Sequence, residues 1–218
     1  MANTKISAAT NNPTVAATDE FATNKAGASN RTPASALATY VKGVSELFNA
    51  STASQSGFSS DTYLTNSNIA IPANNPQAKT MYRCVFRATK TGAGTATAVI
   101  NVRIGTNGTT ADTARCVITF PTAQTAATDS ALMEIWATFR SVGGGTSAVL
   151  QVAFRMHRTN TTTGFISTGG LQVTFIDVTS SGFDSTVANS IIGVSINAGA
   201  SANWTVALAQ AELINLSV

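Results

Sequence analysis

Charge is what this sequence has least of. Asp, Glu, Lys and Arg make up 11% of its 218 residues, against about 25% in an average soluble domain. A formal charge of +3 spread without any Lys/Arg cluster excludes the electrostatic footprint of a nucleic-acid binder. One histidine and two cysteines are too few for a zinc site of the usual ligand count. No apolar run approaches eighteen residues, so no membrane insertion is expected. Met1–Asn12 has one lysine and no apolar run of seven, so no secretory leader is expected either.

The same scarcity empties the chemistry. No Gly-x-Ser-x-Gly elbow, P-loop or Gly-x-Gly-x-x-Gly turn is present. Ten acidic residues are scattered along the chain. Within its C-terminal part only Glu134 and Asp177 are candidates for a facing carboxylate pair, and arginines such as Arg140 or Arg155 offer each a salt bridge instead. His157, beside Arg155 and Arg158, reads as a surface histidine. The expectation is a protein that is not an enzyme and uses no cofactor or metal. A weakly charged surface also has little self-repulsion, which favours association with copies of itself.

What is present is a polar start and a long β pattern. Residues 1–31 are rich in Ala, Asn and Thr and show neither helical nor strand periodicity. Such an arm buries too little apolar surface to offset its ordering entropy without a partner. Thr32-Pro33 reads as a helix cap with proline at the first position. Leu37, Tyr40, Val41, Val44, Leu47 and Phe48 follow as an i, i+3, i+4, i+7 stripe, predicting an amphipathic helix over 32–49. That stripe packs either on the chain's own β domain or on two symmetry mates or the virion. Residues 50–65, rich in Ser and Thr, read as a linker or a surface-hugging loop.

From residue 66 the period becomes two. Eight strands are predicted around Cys84–Ala88, Ala98–Ile104, Ala114–Phe120, Met133–Phe139, Ala148–Met156, Leu171–Phe175, Ile192–Ile196 and Trp204–Leu208. Gly92, Asn107-Gly108, Gly143-Gly144-Gly145, Gly169-Gly170 and Asn197-Ala198-Gly199 supply the turns. The fold class is all-β: an antiparallel β-sandwich, jelly-roll-like, of about eight strands over 66–218, preceded by the extended arm and one amphipathic helix. The final strand moves its apolar set from even positions (Trp204, Val206, Leu208) to odd ones (Ala211, Leu213). Either a β-bulge near Ala209 or a covered outer face accounts for that. Cys84 and Cys116 fall on inward faces of separate strands and read as buried free thiols, with a bridge between neighbouring strands as the alternative.

Three blocks stand out in the N-terminal part: Lys5-Ile6-Ser7, Asp19-Glu20-Phe21, and Arg31-Thr32-Pro33 leading into Ala38-Thr39-Tyr40-Val41. Together they resemble the N-terminal region of bacteriophage fibre and other virion structural proteins, of the short-fibre or decoration type. There a Lys-Ile-Ser start, an Asp-Glu-Phe block and an Arg/Lys-Thr-Ala segment running into a helix precede a variable β module. The resemblance covers about a fifth of the chain. It implies a particle-docking segment holding Lys5, Ile6, Asp19, Glu20, Phe21 and Arg31. It also implies a three-fold contact through Leu37, Tyr40, Val41, Val44, Leu47 and Phe48. The partners implied are the chain itself as a homotrimer and other virion proteins of capsid or tail, with the protein exposed on the assembled particle. No heptad shaft, triple β-helix repeat or Gly-x-y tract is present, which turns the expectation from a long fibre to a short one. Trp136, on the polar side of its strand, is the candidate contact for a host cell-surface glycan, and a carbohydrate-binding β-sandwich module is the alternative function.

Overall fold

The computed structural model describes residues 20–25, 28–33, 46–71, 76–159, 163–167 and 173–216. The chain forms two compact units, residues 1–44 and 45–218. In the first, β1 (Glu20–Lys25) and β2 (Ala28–Pro33) pair antiparallel, from Glu20 opposite Pro33 to Lys25 opposite Ala28. An unbroken arm over 1–31 is therefore corrected: a hairpin crosses that boundary. Its pairing is made by backbone groups, which need no apolar alternation to register. Thr32 and Pro33 end β2 rather than cap a helix. Proline at a strand terminus of a two-stranded ribbon costs no ladder hydrogen bond.

The second unit is all-β. Its strands are β3 (Glu46–Ser51), β4 (Gln55–Ser56), β5 (Thr62–Tyr63), β6 (Ile69–Ala70), β7 (Met81–Thr91), β8 (Val99–Gly105), β9 (Thr113–Thr119), β10 (Asp129–Ser141), β11 (Val149–Arg158), β12 (Val173–Thr179), β13 (Ile191–Asn197) and β14 (Asn203–Ile214). A seven-stranded sheet has the order β12-β11-β10-β7-β14-β3, with β4 also on β14. A five-stranded sheet has the order β5-β13-β8-β9, with β6 also on β13. The result is a two-sheet antiparallel sandwich, with no helix among the described residues. All eight expected strands are present as β7 to β14. The strand order departs from the jelly-roll expectation: β10, β11 and β12 run as a meander inside one sheet.

The inner faces carry the expected alternation. Tyr82, Cys84 and Phe86 of β7 are fully buried, as are Ile100 and Val102 of β8 and Met133, Ile135, Ala137 and Phe139 of β10. Each such large side chain contributes roughly 1.5–3 kcal/mol by leaving water. The free thiols of Cys84 and Cys116 lie in this core, and burial pushes them up to about 12 and about 11 respectively. At one end Trp204 packs edge-on against Phe165, with centroids 4.7 Å apart, and its indole N–H donates to Gln124 Oε1 at 2.7 Å. Gln124 Nε2 donates in turn to the carbonyls of Ala96 and Ala198 at 2.8 and 2.6 Å. One buried amide thus joins loops at that end. Gly199 turns there at φ +85°, where a Cβ would stand 2.4 Å from that of Ala96.

Four further readings change or sharpen. The helix over 32–49 is corrected at its far end too, because Leu47 and Phe48 lie in β3, paired with Leu213 and Glu212 of β14. Successive strand residues point to opposite faces. Leu47 accordingly packs against the core while Phe48 is 63% exposed. The 50–65 linker is corrected: it contributes β4 and β5 and buries Phe58 and Leu64 completely or nearly so. The bulge in the last strand is present as a register shift between Val206 and Leu208, after which Ala209, Ala211 and Leu213 face inward. In β12 the apolar face is the reverse of that expected. Phe175 is 68% exposed, while Ile176 and Val178 pack against the core; Leu171 lies outside the described residues.

Candidate functional site

Lys5, Ile6, Asp19, Leu37, Tyr40, Val41 and Val44 lie outside the described residues. Glu20 and Phe21 open β1 opposite Pro33 and Thr32, and Arg31 sits in β2 opposite Ala22. The described part of the chain therefore directs attention to the outer face of the seven-stranded sheet, where Phe48 and Trp136 both fall.

Register arranges that face in rows. One row runs Phe48, Glu212, Arg83, Trp136, Ala153, Asp177 across six strands. The next runs Gln210, Val85, Glu134, Arg155, Phe175, and the one after it Leu208, Arg87, Leu132, His157, Val173. Apolar side chains stand among charged ones throughout. Phe48 and Phe175, the two most exposed large apolar residues of the described chain, sit on β3 and β12 near opposite edges of the sheet.

The charges at the centre are mutually satisfied. Arg83 Nη1 donates to Glu212 Oε1 at 3.0 Å and Nη2 reaches Glu134 Oε1 at 3.5 Å. The hydrogen bond to Glu212 leads in raising the Arg83 guanidinium above its ordinary value. With Arg83 38% exposed, solvent screening limits each pair to at most about 1 kcal/mol. Glu134 is thus held by Arg83 rather than by Arg140 or Arg155. Arg155 lies over the Phe175 ring at 5.4 Å. Glu134 and Asp177 sit two strands and one row apart, so the register does not set them opposite each other. Among the described residues no three His, Cys, Asp or Glu side chains cluster as metal ligands.

Trp136 is half-buried on this face, between Arg83 and Ala153. Four residues back along β10, Leu132 lies in a hollow of 410 Å³ that also takes in Arg87, Thr89, Ser130, His157 and Thr159. The hollow opens beside Ala207, the bulged residue of β14. A bulge bends its strand and twists the sheet locally, and alanine there leaves the space unfilled. Sequence reading missed this feature. The face change along β14 was its one visible signal, and the pairing that sets Arg87 and His157 on either side of Leu132 is non-local.

Beneath the hollow a buried charged group closes the sandwich end. Arg158 Nη1 lies 3.6 Å from Asp129 Oδ2, both side chains fully buried. Lys90 donates to the carbonyls of Gly92 and Thr125 at 3.1 and 2.5 Å; desolvation lowers its ammonium's affinity for the proton, and Asp129 opposes that. Asp129 also accepts from the Phe165 amide at 3.3 Å. That last bond ties the Phe165 backbone to the buried group.

No family model matches the chain, and no curated protein matches it. Among solved structures it is similar to a protein of unknown function from Shewanella oneidensis MR-1, at 9% identity and a TM-score of 0.39 over 84% of this chain and 95% of that one. It is similar to the CBM2 module of the evolved Dit of Lactobacillus casei BL23 phage J-1, at 12% identity and a TM-score of 0.31 over 69% and 70%. A third likeness is to infectious bursal disease virus, Gx strain, at 11% identity and a TM-score of 0.21 over 88% and 46%. All three scores fall below the level at which two chains share one fold.

Proposed function

We propose that the chain is a non-enzymatic structural subunit of a bacteriophage particle, a trimeric short fibre or decoration protein. Its N-terminal unit docks on the particle and its sandwich is displayed outward. The observation that carries this reading is the division of the chain at residues 44 and 45. The three motif blocks of the resemblance lie in a short unit of their own, ahead of a sandwich that carries its own core. Phe48 supports the trimer: it begins the sandwich, belongs to the expected contact set, and leaves 63% of its surface in water. Exposed large side chains on a weakly charged surface favour self-association. The test is deletion of residues 1–44. The remaining sandwich is expected to fold and to be absent from purified particles; incorporation of the truncated protein would overturn the docking role.

A second reading, which is compatible with the first, is a carbohydrate-binding module. It is favoured by Trp136 and the 410 Å³ hollow lying on one sheet face, since sugar sites combine an apolar platform with a few convergent polar groups.

A further inference from the structure

We propose that the hollow around Leu132 binds an acidic saccharide, with Arg87 as the residue that takes its acid group. The proposal deepens the carbohydrate-binding reading and does not depend on virion docking. It rests on the shape and inventory of the hollow. At 410 Å³ it is within the range of small-ligand sites, about 300–1,000 Å³. Arg87 and His157 flank Leu132 in one row, so their backbones stand roughly 10 Å apart at the usual strand spacing. Leu132 and Ala207 supply an apolar floor. Thr89 and Ser130 supply hydroxyls along the rim, 3.2 Å apart.

The charge is what selects an acid. Arg87 is exposed and makes no ion pair among the described residues. The next outward residue of β10, Glu134, is engaged by Arg83. Arg158 contributes to the lining but its guanidinium is buried against Asp129, which cancels it. The hollow therefore presents one open guanidinium, an imidazole, and the hydroxyls of Thr89 and Ser130, while Thr159 Oγ1 is turned back onto Ser130 and Asp129. A planar guanidinium fork fits carboxylate and phosphate oxygens equally. Hydroxyls that both donate and accept fit the hydroxyls of a sugar ring, and Leu132 fits its apolar face. Trp136 lies four residues along β10, about 14 Å away at 3.4 Å per residue, within the span of a short oligosaccharide.

The test is calorimetric titration of the full-length protein with trigalacturonate, with the neutral galactose trimer, and with galactose 6-phosphate. At least one acidic ligand is expected to bind, with the neutral trimer at least tenfold weaker. Arg87→Ala should reduce acidic binding roughly ten- to a hundredfold, and Arg87→Lys by less, because it keeps the charge and loses the fork. Arg140→Ala, on the same face outside the hollow, should leave it unchanged. Arg87 is exposed, so its variants should melt with the wild type. Which acidic arm binds assigns the acid as carboxylate or phosphate. Acidic binding that ignores Arg87→Ala, or falls equally with Arg140→Ala, would overturn the proposal. Binding of the neutral trimer alone would overturn it and leave the carbohydrate reading standing; binding of none would overturn both.

Discussion

The two sheets of the sandwich treat their outer faces in opposite ways. Over the central strands of the five-stranded sheet the chain covers itself. Asn101 and Arg103 of β8 and Ser195 of β13 point away from the core yet are buried. Arg103 Nε donates to Ser195 Oγ at 2.7 Å, and its guanidinium also bonds the Asp112 carbonyl and the Asp61 carboxylate. Asp112 in turn accepts from the amides of Asn107 and Gly108 at 3.0 and 2.7 Å, which folds the 107–112 turn down. Tyr63 lies over Gly193, and burial pushes its phenol well above its ordinary value. Among the described residues of the sandwich, the seven-stranded sheet carries no such network over its outer face. Its central charges pair with one another in the plane of the face, and Phe48, Phe175 and Arg87 stand in water. The difference teaches that a chain this poor in charge builds a buried ionic network where it closes on itself; in the function we propose, the other face is the one left for partners.

That contrast can be broken by substitution. Arg103→Ala should have the largest effect. It strands Asp61 and the Asp112 carbonyl beside a buried surface, and a loss of about 3 kcal/mol is expected by denaturant unfolding. A loss under 1 kcal/mol would mean the five-stranded face is not closed by this network. Gly193→Ala comes next. Its new Cβ would stand 2.0 Å from the Tyr63 hydroxyl, so Tyr63 must move out, at a cost of about 1–3 kcal/mol visible as a lowered Tm. On the open face, Arg83→Ala should cost at most about 1 kcal/mol, since the guanidinium is 38% exposed and its removal opens both carboxylates to water. A loss as large as that of Arg103→Ala would erase the distinction between the faces.

How far the fold was legible follows the same division between local and non-local information. The eight long strands announced themselves because β-branched and aromatic residues alternate along them, and a period of two needs only a single segment to be read. In β14 the overlapping even and odd apolar sets fitted either a bulge near Ala209 or a covered outer face, and the pairing with β7 decides for a bulge at Ala207. In β12 both parities carry apolar residues, Val173 and Phe175 against Ile176 and Val178. Only its neighbours decide which set is inward. Leu47-Phe48 fits the end of a helical stripe as well as a strand, and pairing with β14, more than 160 residues distant, decides it. Phe58 and Leu64 were the signal that the Ser-rich stretch is built into the sandwich. The hollow and the Arg103 network exist only once distant strands are set in register, so residue types alone did not announce them.

We propose that the open face of the seven-stranded sheet is where the sandwich meets its own copies and a saccharide ligand. Hydroxyl-radical footprinting of the full-length protein through a dilution series tests it most directly. The account predicts protection of Phe48 that grows with concentration, while Val117, exposed on the five-stranded sheet, reacts equally throughout. Protection at Val117 with Phe48 unchanged, or no protection at either residue, would contradict it.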